Sequence, residues 1–355
     1  MISLNAEKYK ESGLEQVYLK AVYEMLSSMR GNKTIQSTKR PKVVREMVRC
    51  LMKYGLPEVL GAEIPAGKDA DDLDEATLFG VMKALILADE GKLREMYEHL
   101  KKTSDTKDKE NASESAPLLR MSAFLEYFSE RAYENMRDIE ASLTDGEDEP
   151  EKLPNQMVKS LGLRTCPYCN RAFIGTEEKE NLGVQLDHFY SKSIYPFFAV
   201  SLYNLIPSCS YCNRIKGNQD AATLVSPFKK DADFENGLRF RLVEDGKVRL
   251  YVEKPNSELT SNINMFKLNA AYAFHKTEAK QFTDKMRAYP PSLLREIARH
   301  MTIRDGKTGE KIERIPAEVL EMGLFQEYFS EPADYLKKPL AKFYRDLYYE
   351  YRGTK

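Results

Sequence analysis

Cys166-Pro167-Tyr168-Cys169 and Cys209-Ser210-Tyr211-Cys212 bracket the stretch Gln185-Leu186-Asp187-His188-Phe189. Asn204 stands before the second pair and Asn213 directly after it. The chain has five cysteines, so four of them belong to this one arrangement. A Cys-x-x-Cys turn points two thiolates at one ion, and two such turns complete a tetrahedral site. Four sulfur ligands leave no open position, which is the pattern of a structural zinc rather than a catalytic one. The competing assignment is two disulfides, disfavoured in a soluble chain without export signals. A zinc at Cys166, Cys169, Cys209 and Cys212 holds something in place, and Asp187, His188, Asn204 and Asn213 are the candidates for what is held.

Outward from the cysteines, Gln185 to Lys192 is expected to leave a short strand at Asp187-His188. Tyr203-Asn204-Leu205-Ile206-Pro207 follows the aromatic run Tyr195 to Phe198. Cys209 to Gly217 then turns into a helix. Two strands and a helix bring together His188 at a strand end, Asn204 in or near the next strand, and Asn213 on the helix. With the paired cysteines, roughly residues 160–220 resemble the HNH endonuclease family, the ββα-metal fold, in a His-Asn-Asn variant.

The resemblance implies phosphodiester hydrolysis. His188 is then the general base, since neutral imidazole accepts a proton near neutral pH. Asp187 and Asn213 supply hard oxygen ligands, which suit a catalytic Mg²⁺ or Mn²⁺ beside the leaving oxygen. Most of the family carries a third histidine where this chain has Asn213. Asn204 is expected to brace the loop and orient the base without touching metal. Arg214 and Lys216, on the helix beside the site, and less strongly Lys192, are expected to grip phosphate.

A closer similarity is to the HNH subunits of Septu-type and retron-associated anti-phage systems (PtuB-like). It rests on Cys-Pro-Tyr-Cys-Asn, Leu-Asp-His-Phe, Tyr-Asn-Leu-Ile-Pro-Ser-Cys-x-x-Cys-Asn and the tail Pro339-Leu340-Ala341-Lys342-Phe343. It implies an ATPase partner of the PtuA type and a role in defence. The long N-terminal helical region departs from the compact form of that group.

The 355 residues suit two or three domains with a sizeable core. The net charge of −1 argues against a basic coat, so nucleic acid is expected at a local patch or with a partner's help. Residues 159–230 hold nine Lys or Arg against five Asp or Glu, whereas 101–150 hold seven against thirteen. The basic excess thus falls on the candidate nuclease module, as phosphate binding requires. The N-terminus lacks signal-peptide blocks, and the longest apolar run, Pro196 to Pro207, is too short to span a membrane. A cytoplasmic protein with no membrane association is expected.

The fold class expected is α+β, mainly α. A zinc-stapled ββα-metal module (153–230) lies between a helical N-terminal domain (1–145) and a mainly helical C-terminal region (231–355) that opens on a hairpin. Helical spacing predicts helices over 4–30, 41–54, 73–100 and 118–143, a loop over 102–116 and an acidic linker over 144–152. Glu244-Asp245-Gly246-Lys247 predicts a hairpin turn, followed by helices at 269–287, 291–301, 315–328 and 338–351. Cys50, His99, His275 and His300 read as packing or surface residues. The aromatic run Tyr195, Phe197, Phe198 and Tyr203 reads as core in preference to a base-stacking surface. The function expected is a metal-dependent endonuclease, DNA favoured and RNA possible, with self-association open. The alternative is a non-catalytic zinc knuckle that binds nucleic acid or acts as an adaptor.

Overall fold

A computed structural model describes residues 1–29, 42–108, 123–143, 149–177, 180–182, 184–243, 246–304, 306–325 and 334–353. These residues are mainly helical, with five two-stranded antiparallel sheets. They group into two units. One comprises Ser3–Tyr168 and Phe173–Ala232, the other Met1–Ile2, Cys169–Ala172 and Asp233–Lys355. One division falls between Ala232 and Asp233, and the N-terminal helices and most of residues 153–230 fall in one unit.

In the first unit, glycine and aspartate set the helix ends. The helix expected over 4–30 is two, α1 (Glu7–Glu11) and α2 (Leu14–Ser28), because Gly13 lies between them at φ +75°. A left-handed residue cannot continue a right-handed helix, and glycine takes it without a Cβ penalty. α3 (Val43–Lys53) runs as expected, and α4 (Leu56–Leu60) follows it. The helix expected over 73–100 is also two, α5 (Glu75–Ile86) and α6 (Glu90–Asp108). Asp74 accepts from the Thr77 amide at 2.8 Å and Asp89 from the Lys92 amide at 2.9 Å, so each restarts a helix. α6 continues through 102–108, where a loop was expected; the rest of that loop (109–116) and part of the acidic linker (144–148) lie outside the described residues.

α7 (Ala123–Arg137) leads to the antiparallel pair β1 (Glu140–Ala141) and β2 (Glu151–Lys152), then to α8 (Leu153–Leu161). β3 (Gly175–Glu177) and β4 (Glu180–Leu182) form a short hairpin. β5 (Val184–His188) pairs antiparallel with β6 (Leu205–Cys209), with His188 opposite Leu205 and Val184 opposite Cys209. α9 (Ser210–Lys216) starts where β6 ends and stops at Gly217, whose φ +49° and ψ −135° favour glycine.

The segment between β5 and β6 is threaded into the helices. Its 3₁₀ turn Pro196–Val200 packs on α7 and α5. Phe197 meets Tyr54 edge-on at 5.6 Å, while Tyr190 stacks on Tyr97 at 4.9 Å and Tyr195 meets Tyr97 at 5.2 Å. The Tyr18 hydroxyl donates to the Val200 carbonyl at 3.0 Å. All four residues of the aromatic run are buried, so they form core and offer no stacking surface. Each fully buried ring contributes on the order of 2 kcal/mol.

In the second unit, α10 (Phe234–Gly237) precedes the hairpin β7 (Leu238–Leu242) and β8 (Val248–Val252), in the expected place. α11 (Ser257–Met265), α12 (Leu268–Tyr272), α13 (Lys276–Ala288) and α14 (Pro291–His300) follow. β9 (Thr302–Arg304) pairs with β10 (Lys311–Arg314), and α15 (Ala317–Phe325) and α16 (Ala341–Arg352) complete the unit. Phe240, Tyr272 and Phe343 form its aromatic centre, with ring centroids 4.4 to 5.7 Å apart. Asp346 is buried there against Lys342 at 3.0 Å and Arg239 at 3.1 Å. Asn170, at φ +50°, ties the short segment Cys169–Ala172 to this unit by donating to the carbonyls of Tyr335 (2.6 Å) and Lys338 (3.1 Å).

The remaining histidines, read as packing or surface residues, each make a local contact. His99 bonds the Tyr54 carbonyl, His275 bonds Glu278, and exposed His300 bonds Glu296.

Candidate functional site

Cys166, Cys169, Cys209 and Cys212 are buried, and their Sγ atoms all lie within 4.8 Å of one another. Zinc–sulfur bonds of about 2.3 Å in a tetrahedron place sulfurs about 3.8 Å apart, so this donor set fits one ion. None of the four is in a disulfide. The local fold explains the convergence. Cys209 ends β6 and Cys212 lies one turn into α9, while Val184, opposite Cys209, begins the strand that carries His188. The cluster therefore lies at the strand–helix corner of the ββα unit, where one ion would join its elements.

His188 closes β5 and is 9% exposed. Its Nε2 lies 3.0 Å from the Ala199 carbonyl oxygen. A carbonyl only accepts, so Nε2 carries the proton and Nδ1 keeps the lone pair. Burial depresses the imidazole pKa from 6.5 to about 3, and the charges of Lys192 and Lys216 add to that effect, against the Ala199 hydrogen bond. The ring is therefore neutral near neutral pH.

Asn204 is fully buried at the end of the 3₁₀ turn Leu202–Asn204. Its Oδ1 accepts from the Tyr190 amide at 2.8 Å, and its Nδ2 donates to the carbonyls of Tyr190 (3.0 Å) and Phe198 (3.1 Å). These bonds clasp the loop whose Ala199 carbonyl orients His188. The side chain thus ties Tyr190 to Phe198 within that loop.

Asp187 departs from expectation. Successive side chains of a strand leave by opposite faces, so the residue beside His188 turns inward. It is 2% exposed; Oδ2 accepts from the Tyr168 hydroxyl at 2.6 Å and Oδ1 from Lys216 Nζ at 3.2 Å. Burial raises its carboxyl above the usual range, opposed by Lys216 and Tyr168. Both oxygens are taken, one by an ammonium, and this arrangement does not fit a hard divalent cation on Asp187. Lys216, expected to grip phosphate, is fully buried and also donates to the His188 carbonyl at 2.6 Å. An ammonium this enclosed cannot reach a ligand in solvent.

Asn213 is half-buried on α9 and donates to Gln185 Oε1 at 2.7 Å. It lines a cleft of about 640 Å³ together with His188 and Lys192, so three of the expected site residues meet there. Arg214 is exposed and does not line that cleft. The rest of the lining includes residues outside the motif: Tyr133 and Arg137 in the last turns of α7, Asp138 just after it, and Lys152, Pro154 and Asn155 around the start of α8. The Tyr133 ring meets the His188 ring edge-on at 4.5 Å. Sequence reading assigned α7 no site residue, and its only signal was the cation-aromatic spacing of Tyr133 and Arg137 four residues apart.

No family profile, curated protein or solved structure matches this chain. Among the described residues, no helix is long and apolar enough to cross a membrane.

Proposed function

We propose that the chain is an HNH-type endonuclease that hydrolyses phosphodiester bonds of nucleic acid, DNA favoured, with Zn²⁺ as the structural ion of the four cysteines. The observation that carries this reading is His188. It ends the first strand of a β–β–α unit, its Nε2 is tied to a carbonyl, and its ring lines a cleft shared with Asn213 and Lys192. In the proposed reaction Nδ1 takes a proton from water as the water oxygen bonds to phosphorus. The P–O bond on the far side breaks, and its oxygen leaves to be protonated. A phosphodiester anion beside the ring raises the imidazole pKa, opposing burial, and so strengthens the base on substrate binding.

The sequestered Asp187 favours one second reading, a zinc module that binds nucleic acid or a partner without cutting. Cleavage of plasmid DNA and of total RNA, with and without Mg²⁺ or Mn²⁺, separates the two. Loss of cleavage in His188→Ala, with an unchanged circular dichroism spectrum, is expected of the nuclease. Equal activity in wild type and His188→Ala would sink it.

By its resemblance, the chain acts in the cytoplasm in anti-phage defence with an ATPase partner. The net charge of −1 supports a partner, since unaided affinity for a polyanion is limited. Rapid cleavage by the purified chain alone at physiological salt would remove the reason for one.

A further inference from the structure

The cations over the cleft come from different parts of the chain and are not equivalent. Lys152 is paired with Asp138 at 3.3 Å, and both are exposed, so their charges largely cancel. Arg137 at the end of α7 and Lys192 after β5 have no hydrogen-bonded or ion-paired carboxylate among the described residues. Both lie against one ring: the Arg137 guanidinium carbon is 5.7 Å and Lys192 Nζ 5.5 Å from the Tyr133 centroid. That ring is fixed by its edge-on contact with His188 at 4.5 Å and by its hydroxyl, which donates to the Leu186 carbonyl at 3.3 Å. Cations held by a ring face keep their N–H donors directed outward.

Glu130 and Glu134 on α7 also act on Lys192, but at a range that forms no ion pair, and Glu134 is engaged by Arg131 at 3.2 Å. The carboxylate of Asp138 is the only one lining the cleft among the described residues, and Lys152 answers it. The cleft beside His188 therefore carries an unbalanced positive charge.

We propose that Arg137 and Lys192, mounted on Tyr133, form a phosphate clamp that seats a nucleic-acid phosphodiester over His188. The helical region thus supplies Arg137 and the Tyr133 mount, and the β–β–α unit supplies Lys192. The clamp takes over the grip expected of Lys216, whose ammonium is enclosed against Asp187. Its ligand is the backbone phosphate, so it discriminates little between base sequences. The proposal rests on the nuclease reading for the fate of the phosphate, but binding tests it separately from cleavage.

The test is fluorescence anisotropy of a labelled duplex DNA and a labelled single-stranded RNA at several salt concentrations. The protein is the full chain carrying His188→Ala, so that the probe survives. Arg137→Gln/Lys192→Gln is added to that background, with Arg137→Lys/Lys192→Arg as the charge-preserving pair and Lys20→Gln as a cation outside the cleft. The clamp predicts at least tenfold weaker binding in the doubly neutralised protein. The log–log salt slope on duplex DNA falls by about 2, one unit for each phosphate no longer neutralised. The charge-preserving pair keeps most of the affinity, and Lys20→Gln changes neither quantity.

Unchanged affinity and salt slope in the neutralised protein would overturn the clamp. If wild type cleaves and His188→Ala does not, the nuclease reading stands without it. Weakened binding with no dependence of cleavage on His188 would leave the clamp and remove the nuclease. Absence of binding to both probes by every protein would overturn the clamp outright.

Discussion

His188 is held neutral by burial rather than by a partner, and this makes stability depend on pH. Its folded pKa lies near 3 and its ordinary value at 6.5, so the unfolded chain binds the proton more readily. Its stabilising contribution is fully present above 6.5 and declines as pH falls towards the folded value. Between pH 6.5 and about 5, before most carboxylates titrate, the loss is about 2 kcal/mol. Urea melts across that range are expected to show the decline in wild type and a flatter profile in His188→Gln, which retains a donor for Ala199. Parallel profiles would refute the burial argument. Asn204 is a second single-residue lever. Truncation to alanine strands the Tyr190 amide and the carbonyls of Tyr190 and Phe198 in the interior, at a cost of about 3 kcal/mol or more. Asn204→Ala is expected to lose cleavage along with stability, because the Ala199 carbonyl that fixes the His188 tautomer sits in the same loop. A variant with wild-type urea midpoint and full activity would show that the loop is braced elsewhere.

At the scale of elements, the strand–helix corner is expected to depend on an ion held by the cysteine cluster. β5, β6 and α9 are each seven residues or shorter, and helices and hairpins of that length do not hold together in water alone. Cys166→Ser is expected to lower bound metal from about one zinc per chain and to lower the melting temperature, and a strong chelator should do the same to wild type. Metal content by elemental analysis and a thermal melt read both. Full metal content and an unchanged melt in Cys166→Ser would contradict a structural ion. The buried Asp187–Lys216–Tyr168 group acts at the same corner, joining the end of β5 to the last turn of α9. The sequence order Asp-His, Asn and Cys-Asn-x-x-Lys was enough to place these residues near one another. It was silent on direction, because one residue's step along a strand decides whether a carboxylate meets solvent or the core.

At the scale of the whole molecule, the candidate module is not self-sufficient. Tyr190, Tyr195, Phe197 and Tyr203 pack against Tyr9, Tyr54 and Tyr97 from the helices that precede the motif. Cutting out residues 153–230 exposes all of that surface. Such a peptide is expected to remain without fixed tertiary packing even with zinc, to bind a hydrophobic dye and to melt without a cooperative transition. A sharp unfolding transition in the zinc-loaded peptide would show that the module carries its own core.

The sequence by itself determined the chemical inventory: the four thiols of one cluster, the β–β–α order, the hairpin after about 230 and the mainly helical class. These follow from local rules, since ligand spacing, turn residues and hydrophobic periodicity act over a few neighbours. Helix breaks at Gly13 and Asp89 were written there too, as cap and turn residues inside longer apolar periodicities. Tertiary structure alone decided that Tyr133 and Arg137 wall the cleft, and that Lys216 is enclosed with Asp187 while Lys192 faces the cavity. Those outcomes depend on which faces of distant segments bury against one another. Burial is a property of the packed chain, and it converts one lysine into an internal counter-ion and leaves another for a ligand.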